Sequence, residues 1–337
     1  MYISESNQKI GYSEGQLTIK SVSDGSERKL PFMDVSGISV FGKPQLSTQL
    51  IRECLSENIP ISFYSDDGHF FGHISSSERI DPLRQKKQIY LTDNQEFCLC
   101  WSRAIISAKI QNSIALLSSF SDVCEFDSSD IRHLNHSMAS LELADSVEML
   151  LGFEGNAAKN YFECLPKLLQ NEDFIFSGRS ARPPKDPFNS MLSYGYSIFY
   201  RNIIGAIERH GLHPYFAYMH KLKFGHASLA SDLIEEYRAP LIDKTVVELV
   251  NSGEIEVSDF YKNDAGAIYM TKNALKMLTD RFSEIIAKNQ QYFFNDGDKK
   301  SYGFQVMLDK KITSLIHAIE KRDASIYRPL VWKLVRQ

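Results

Sequence analysis

The hydrophobic pattern of the chain changes at Asp81-Pro82, and this change limits the possible folds more than any other feature of the sequence. Before it, short segments rich in β-branched and aromatic residues alternate with turn signals such as Asp24-Gly25, a pattern typical of β-strands. After it, apolar residues recur at helical spacing from Trp101 onwards. The sequence therefore predicts an α+β protein, with a small N-terminal β-sheet domain followed by a larger all-α C-terminal domain.

The domain boundaries follow from the same pattern. We expect a β domain over residues 1–76, a linker over 77–83 and a helical domain over 84–337. One short helix, over about 47–58, interrupts the strands, and a hairpin is expected to turn at Asp66-Asp67-Gly68. Breaks between helices are expected at residues 182–187, 213–214, 263–266 and 295–297.

Composition excludes several classes of protein. The sequence has neither a charged leader with an apolar segment nor an apolar run near the ~20 residues of a membrane span, which favours a cytoplasmic location. The five cysteines are scattered and form no C-x-x-C pair, which argues against a zinc site or a disulfide framework. A net charge of -4 argues against a protein that coats nucleic acid without selectivity.

The charges are unevenly distributed along the chain. Residues 122–173 hold 3 Lys and Arg against 11 Asp and Glu, whereas residues 299–337 hold 9 against 3. This is compatible with an acidic, cation-binding centre flanked by anion-binding surfaces, and equally with charges that solvate different helices. For Lys299, Lys300, Lys310 and Lys311, a solvated helix surface and a tail that docks onto DNA both remain open.

One histidine and three carboxylates form a candidate metal site. Asp232 and Glu235 lie about 60° apart on one flank of a predicted helix that Ser228 is expected to cap. His220 is expected to end the preceding helix, and Glu154 precedes a glycine that leaves room beside the backbone. Oxygen-rich sets with a single histidine suit Mg²⁺ or Mn²⁺ better than zinc, and such ions usually serve chemistry on phosphates.

Each of these residues also has a plain structural explanation. Taken alone, such a glutamate as Glu154 is more often a solvated residue favoured by the helix dipole. Such a histidine as His220 is more often partly buried with one hydrogen bond, and a pair such as Asp232 and Glu235 is usually a solvated helix face. The residue types leave both explanations open, and only their joint occurrence is specific.

Four stretches together resemble a known family. They are EGNAA with YF from Glu154, RPPKDPFN with LSYGY from Arg182, GLHPY from Gly211 with His220, and SLA, DL and EEYRAP from Ser228. In order and spacing they are similar to the core of the CRISPR adaptation integrase, the CRISPR-associated endonuclease common to most systems that acquire spacers. The motifs cover about residues 150–243, and the order of a β domain followed by an α domain matches the family along nearly the whole chain.

The resemblance implies roles for the four candidates. The metal-binding glutamate of the family falls on Glu154, its histidine on His220 and its helical carboxylates on Asp232 and Glu235. It implies a divalent ion, Mg²⁺ or Mn²⁺, held by Glu154, His220 and Glu235. Asp232 would be either a further ligand or a residue that contacts the ligands. This chain departs from the family at His213, where Asp or Asn often precedes the proline, and at His226, where Arg often follows the glycine; we interpret His213 as a helix-entry residue and not as a ligand.

The implied reaction is attack by a DNA 3′-hydroxyl on each strand of a CRISPR repeat, which inserts new spacer DNA. The DNA is expected to be held through its backbone, because incoming spacers have arbitrary sequence. We predict phosphate contacts from Lys109, Lys221, Lys223 and Arg238. The family also implies a homodimer formed through the β domain and a hetero-oligomeric complex with a small ferredoxin-like partner.

Two other functions remain open from the sequence. A metal-dependent nuclease or resolvase of branched DNA would need the same residues and differ only in its substrate. A catalytically silent DNA-binding scaffold would have a degraded site, and the presence of all four candidate ligands counts against it.

Overall fold

The computed structural model describes residues 2–3, 7–35, 37–65, 70–76, 80–121, 128–180, 183–287, 289–290 and 302–332. The chain forms two compact units, of which the first comprises Met1–Ile80 with Lys272–Ser283 and the second comprises Asp81–Thr271 with Glu284–Gln337. Residues 77–79 of the predicted linker lie outside the described part. The predicted domain boundaries and the dimerisation role of the β domain remain predictions.

The first unit contains two four-stranded sheets, with strand orders β1-β5-β7-β8 and β4-β3-β2-β6. Their strands are β1 Tyr2–Ile3, β2 Gln8–Ser13, β3 Gln16–Ser21, β4 Glu27–Pro31, β5 Ile38–Phe41, β6 Gln45–Leu46, β7 Ile61–Tyr64 and β8 Phe70–Ile74. Ile10, Leu17 and Ile61 are among the apolar residues of the core. The predicted hairpin is confirmed by the antiparallel pairing of β7 with β8, although its turn lies outside the described residues.

Local sequence explains two features of this unit. β2 and β3 are joined by Glu14 and Gly15, both with positive φ, which is the two-residue turn whose twist matches that of paired strands. Helix α1, Thr48–Ser56, begins where the Ser47 hydroxyl accepts a hydrogen bond from the Leu50 amide at 3.2 Å. The prediction of a short helix at this point is confirmed.

The second unit is mostly helical, and side-chain caps begin four of its helices. Asp81 caps α2, Asn94 caps α3, Ser146 caps α5 and Asp186 caps α6. The helices are α2 Pro82–Leu91, α3 Gln95–Ser119, α4 Ser128–Ser140, α5 Val147–Cys164, α6 Pro187–Arg209, α7 Ser228–Ile234, α8 Lys244–Asn251 and α10 Phe304–Lys321, and helix α9, Lys272–Ala287, is divided between the two units. No helix among the described residues is long and apolar enough to cross a membrane.

The prediction of an all-α second region is wrong in one detail, because it also contains short strands. β9 Phe260–Lys262 and β10 Ile268–Met270 form a hairpin around the expected break at 263–266, and β11 Asn289–Gln290 pairs with β12 Tyr302–Gly303. Alternating aromatic residues and the positive φ of Gly266 favour the first hairpin over a break between helices. The expected break at 295–297 and residues 181–182 lie outside the described residues.

The segment before α7 is irregular, contrary to expectation. Residues 212–227 form no helix, so His220 lies in a loop and His213 does not enter a helix. Ser228 is the first residue of α7 and not its cap, and its hydroxyl donates to the carbonyl of Lys221 at 3.0 Å. After α7 the backbone widens into a π-helical turn at Arg238–Asp243, a feature that often occurs at functional sites.

The C-terminal segment of the described chain is fixed against the helical core. The buried carboxylate of Glu236 accepts hydrogen bonds from Tyr327 Oη and the Leu330 amide, and Asn112 Oδ1 accepts one from the Trp332 amide at 2.7 Å. Lys311 is 3% exposed and donates to a backbone carbonyl, so it is neither a solvated lysine nor part of a DNA-binding tail. Lys299 and Lys300 lie outside the described residues.

Candidate active site

Asp232 is the most completely hydrogen-bonded carboxylate of the site. Its side chain is fully buried on α7. Oδ2 accepts from Trp101 Nε1 at 3.1 Å and from the amides of Tyr218 and Met219 at 3.0 and 3.1 Å. Oδ1 accepts from the amide and the Nδ1 of His220 at 3.0 and 2.8 Å. Five donors occupy both oxygens, so Asp232 acts as a positioning residue for the loop and the imidazole.

The bond to Asp232 fixes the orientation of His220. Because a carboxylate only accepts, Nδ1 carries the proton, and Nε2 is the ring nitrogen that points away from Asp232. This carboxylate–histidine arrangement is the one that usually stands behind a metal ligand. Burial alone would lower the pKa of His220, but the hydrogen bond and the charge of Asp232 outweigh it and raise the pKa.

Glu154 and Glu235 are held together by a cation from another helix. The Lys109 ammonium, on α3, forms ion pairs with Glu154 Oε1 and, at 2.7 Å, with Glu235 Oε2. The other oxygen of Glu235 pairs with Arg238 at 3.0 Å. Two carboxylates from α5 and the end of α7 therefore share one ammonium ion.

Each charged group of this cluster stabilises the ionised form of its oppositely charged neighbours. Burial would raise the pKa of Glu235, but Arg238 and Lys109 lower it to about 2. Burial would lower the pKa of Lys109, and Glu235 with Glu154 raises it instead. Glu235 and Lys109 are thus both charged at neutral pH, which a buried carboxylate tolerates only beside a cation.

The donor set fits a divalent ion chemically, although an ammonium ion holds the carboxylates together here. Across the described residues, no three His, Cys, Asp or Glu side chains are arranged so that they could hold a metal ion. Lys109 stands between Glu154 and Glu235, where a divalent cation would neutralise the same two charges. Two carboxylates and an imidazole nitrogen are suitable ligands for Mg²⁺ or Mn²⁺.

A further buried carboxylate, Asp243, lies near this cluster. Asp243, 1% exposed, accepts hydrogen bonds from Tyr161 Oη at 2.7 Å and from Tyr196 Oη at 2.6 Å. Burial raises the pKa of Asp243, and the two hydroxyl groups offset only part of that effect. The Arg238 guanidinium stacks over the Tyr196 ring, 4.4 Å from its centre. Asp243 thus connects α5, α6 and the π-helical turn, and through Tyr196 it supports Arg238.

A pocket opens beside the ion pairs of Lys109 and the hydrogen bonds of Asp243. Its volume is about 460 Å³, including the open solvent at its mouth. Glu154, Lys109 and Arg238 line it together with Tyr161, Tyr196 and Asp243, and apolar residues supply the rest of its wall. The candidate site therefore has charged groups against a largely apolar wall, as is usual for ligand pockets.

Comparison with known proteins identifies the family. Residues 1–284 match the family described as CRISPR associated protein Cas1. The chain is 42% identical over 324 residues to the CRISPR-associated endonuclease Cas1 of Mycobacterium tuberculosis strain H37Rv, covering 95% of this chain and 94% of that one. The chain belongs to the Cas1 family. This confirms the prediction of a CRISPR-associated endonuclease that takes part in spacer integration.

Two solved structures share the Cas1 fold with this chain. A casposase bound to its integration product has a TM-score of 0.83 and 22% identity, and the alignment covers 100% of this chain and 95% of the casposase. A Cas6-RT-Cas1–Cas2 complex has a TM-score of 0.79 and 23% identity, over 99% of this chain and 36% of that one. The predicted N-terminal β region and mostly helical C-terminal region are confirmed as this fold.

The structure brings the predicted residues of the Cas1-family motifs into two adjoining groups. His220 contacts Asp232, and Lys109 contacts both Glu154 and Glu235. A Cβ atom added to Gly155 would meet nothing within 4 Å, so the glycine beside Glu154 is not required by packing. The metal ligands and their roles remain predictions.

The predicted phosphate contacts occupy different environments. Lys221 and Lys223 are exposed in the loop after His220. Lys109 and Arg238 are paired with Glu235. All four contacts remain predictions.

The sequence analysis assigned no role to Trp101, Tyr161, Tyr196 or Asp243, although Tyr161 and Tyr196 lie within the stretches that resemble the family. One signal was available for Tyr161, which lies seven residues after Glu154 and therefore on the same face of α5. No comparable signal links Trp101 to Asp232, because 131 residues separate them.

Proposed function

We propose that the chain is a metal-dependent DNA integrase that joins the 3′-hydroxyl ends of new spacer DNA to a CRISPR repeat by transesterification. The observation that carries the proposal is the joint geometry of a carboxylate-oriented histidine and two carboxylates that share a cation. The Cas1-family match supports the same reading. Hydrolysis by the same site would account for an endonuclease activity.

The proposed ligands of the ion are Glu154, His220 and Glu235. When bound, Mg²⁺ or Mn²⁺ would polarise the scissile phosphate and lower the pKa of the attacking hydroxyl. Asp232 holds a ring proton of His220 on Nδ1, so Nε2 is the nitrogen that would bind the ion, and Arg238 helps to keep Glu235 ionised. Lys109 would then be released to contact a DNA phosphate, and Lys221, Lys223 and Arg238 are the other proposed phosphate contacts.

The partners belong to the same proposal. The casposase was solved bound to an integration product, which supports double-stranded DNA, both protospacer and repeat, as the substrate. The complex that contains Cas2 supports assembly with a small ferredoxin-like partner. We also propose a homodimer formed through the β domain and a cytoplasmic location, since the cell's own array would be the target.

The test is integration of a labelled duplex with free 3′-hydroxyl ends into a supercoiled plasmid that carries a repeat, with the small partner present. Wild type is compared with Glu154→Gln and His220→Ala under Mg²⁺, Mn²⁺ or EDTA. Matched controls are Glu163→Gln, on the same helix with 62% of its side chain exposed, and His136→Ala, also exposed.

Joining only with metal, lost in both site variants and kept in both controls, would support the integrase and its ligands. Joining by folded site variants at the wild-type rate would refute the ligand assignment. If wild type only cleaves the plasmid, the nuclease reading replaces the integrase.

A further inference from the structure

The loop between His220 and α7 contains a tight hairpin, residues 221–226. Lys223 and His226 face each other as an antiparallel bridge, with the His226 amide donating to the Lys223 carbonyl at 3.2 Å. Gly225, with φ of +67°, supplies the backbone conformation that the reversal requires. Phe224 consequently stands at the tip of the turn, four residues after His220.

The base of this hairpin is fixed by side chains of two helices. Ser228 Oγ, on α7, donates to the Lys221 carbonyl at 3.0 Å. The His226 ring is hydrogen-bonded through Nε2 to Ser231 Oγ at 2.8 Å and stacks on Tyr200 of α6 at 6.0 Å between ring centres. Both ends of the turn are held, which restricts the orientation of its tip.

Phe224 is fully exposed at this tip, with a relative exposure of 108%. No other large apolar side chain among the described residues has a higher value. Lys221 and Lys223 are exposed beside it, and the stretch 220–228 contains no acidic residue. The hairpin therefore presents one exposed aromatic side chain close in sequence to two exposed positive charges.

We propose that Phe224 stacks on an unpaired or splayed nucleobase of the DNA substrate while Lys221 and Lys223 contact the adjoining phosphates. Aromatic side chains stack on any base, and such side chains at the tip of a protein element also insert between base pairs. Lysine is depleted at the centre of protein interfaces, so the two lysines favour nucleic acid over a protein partner. The inference rests on the proposed function and adds a base contact to it.

A binding experiment separates stacking from charge. Fluorescence anisotropy measures the affinity of the full chain for a branched DNA with unpaired bases and for a blunt duplex, across a range of salt. Phe224→Leu keeps an apolar side chain without the aromatic face, Phe224→Tyr restores that face, and Leu143→Ala is a matched control at another exposed residue.

For the branched DNA we expect Phe224→Leu to weaken binding about ten-fold, with Phe224→Tyr and Leu143→Ala near wild type. The blunt duplex should be little affected, and the salt slope should be unchanged by Phe224→Leu. Lys223→Ala should instead lower the slope of log affinity against log salt by about 0.9.

Three results would overturn the inference. Equal affinity of Phe224→Leu and wild type for branched DNA, in a protein that still integrates, removes the stacking role and leaves the proposed function intact. A change in oligomeric state or partner binding, with DNA affinity unchanged, makes Phe224 a protein contact. Wild type that neither binds nor joins DNA refutes the proposed function itself and the inference with it.

Discussion

The two groups of the candidate site are held by different forces. Around Asp232, three backbone amides, an indole and an imidazole donate hydrogen bonds to one carboxylate. Around Glu154 and Glu235, the side chains of Lys109 and Arg238 supply positive charge. The first group has one arrangement that satisfies its hydrogen bonds, whereas a charge can be balanced by any cation. Under the proposed function, the group around Asp232 is the rigid half, which orients His220, and the group of Glu154, Glu235, Lys109 and Arg238 is the exchangeable half, in which an ion would take the place of Lys109.

The largest effect is expected from Asp232→Ala, which breaks the rigid half. It would leave several buried donors without an acceptor, each costing about 1–3 kcal/mol, so we expect a loss of at least about 4 kcal/mol in the free energy of unfolding. Denaturant unfolding measures this. Asp93→Ala, at an exposed aspartate, should stay within about 0.5 kcal/mol of wild type. A small loss for Asp232→Ala would show that the loop before α7 does not depend on this carboxylate.

Lys109→Met tests the exchangeable half. Removing the ammonium leaves two carboxylates facing each other, and we expect a loss of about 3 kcal/mol in EDTA, within the range for a broken buried ion pair. Mg²⁺ or Mn²⁺ should then raise the melting temperature of the variant more than that of wild type, since the ion no longer competes with Lys109. Lys159→Met, at an exposed lysine on α5, is the control. Equal stabilisation of both proteins by the ions would argue against exchange between Lys109 and a metal.

Asp243→Asn tests whether the hydrogen bonds from Tyr161 and Tyr196 stabilise the protein next to the exchangeable half. An asparagine can accept from only one of the two tyrosine hydroxyl groups, so we expect a loss of about 2 kcal/mol. Tyr161→Phe removes one hydroxyl and should cost less. The measurement is thermal unfolding, and a loss for Asp243→Asn no larger than that for Tyr161→Phe would contradict a role for both bonds.

The sequence singled out residues that the structure brings together, but not what distinguishes their environments; their membership of an active site stays a prediction. Asp232 and Glu235 lie on one short helical stretch, and their spacing alone made them equivalent carboxylates. What distinguishes them comes from elsewhere: Trp101 and the amides before His220 reach Asp232, whereas Lys109 and Arg238 reach Glu235. Such contacts depend on how α3 packs against α7, which helical periodicity does not specify.

The same limit applies to the fold. The change of hydrophobic period at Asp81-Pro82 predicted the order of β and helical regions correctly, because burial imposes that period on each element. It did not predict the loop that carries His220. The backbone amides there donate to the Asp232 side chain and not to a regular helix or sheet. Such a segment has no periodic hydrophobic pattern from which it could be predicted.

The smallest effect expected is the pH dependence that Asp232 gives to His220. In the metal-free protein, NMR should find the pKa of His220 above the usual 6.5, because the bond and the charge of Asp232 outweigh burial. A raised pKa in the folded state means that the pair stabilises the protein fully below the pKa of the unfolded chain. That contribution is lost as pH rises through the folded-state value. Asp232→Asn should bring the pKa down, because burial then dominates, and an unchanged titration would mean that the carboxylate does not control the charge of His220. Any pH dependence left after that substitution would have to come from the exchangeable half.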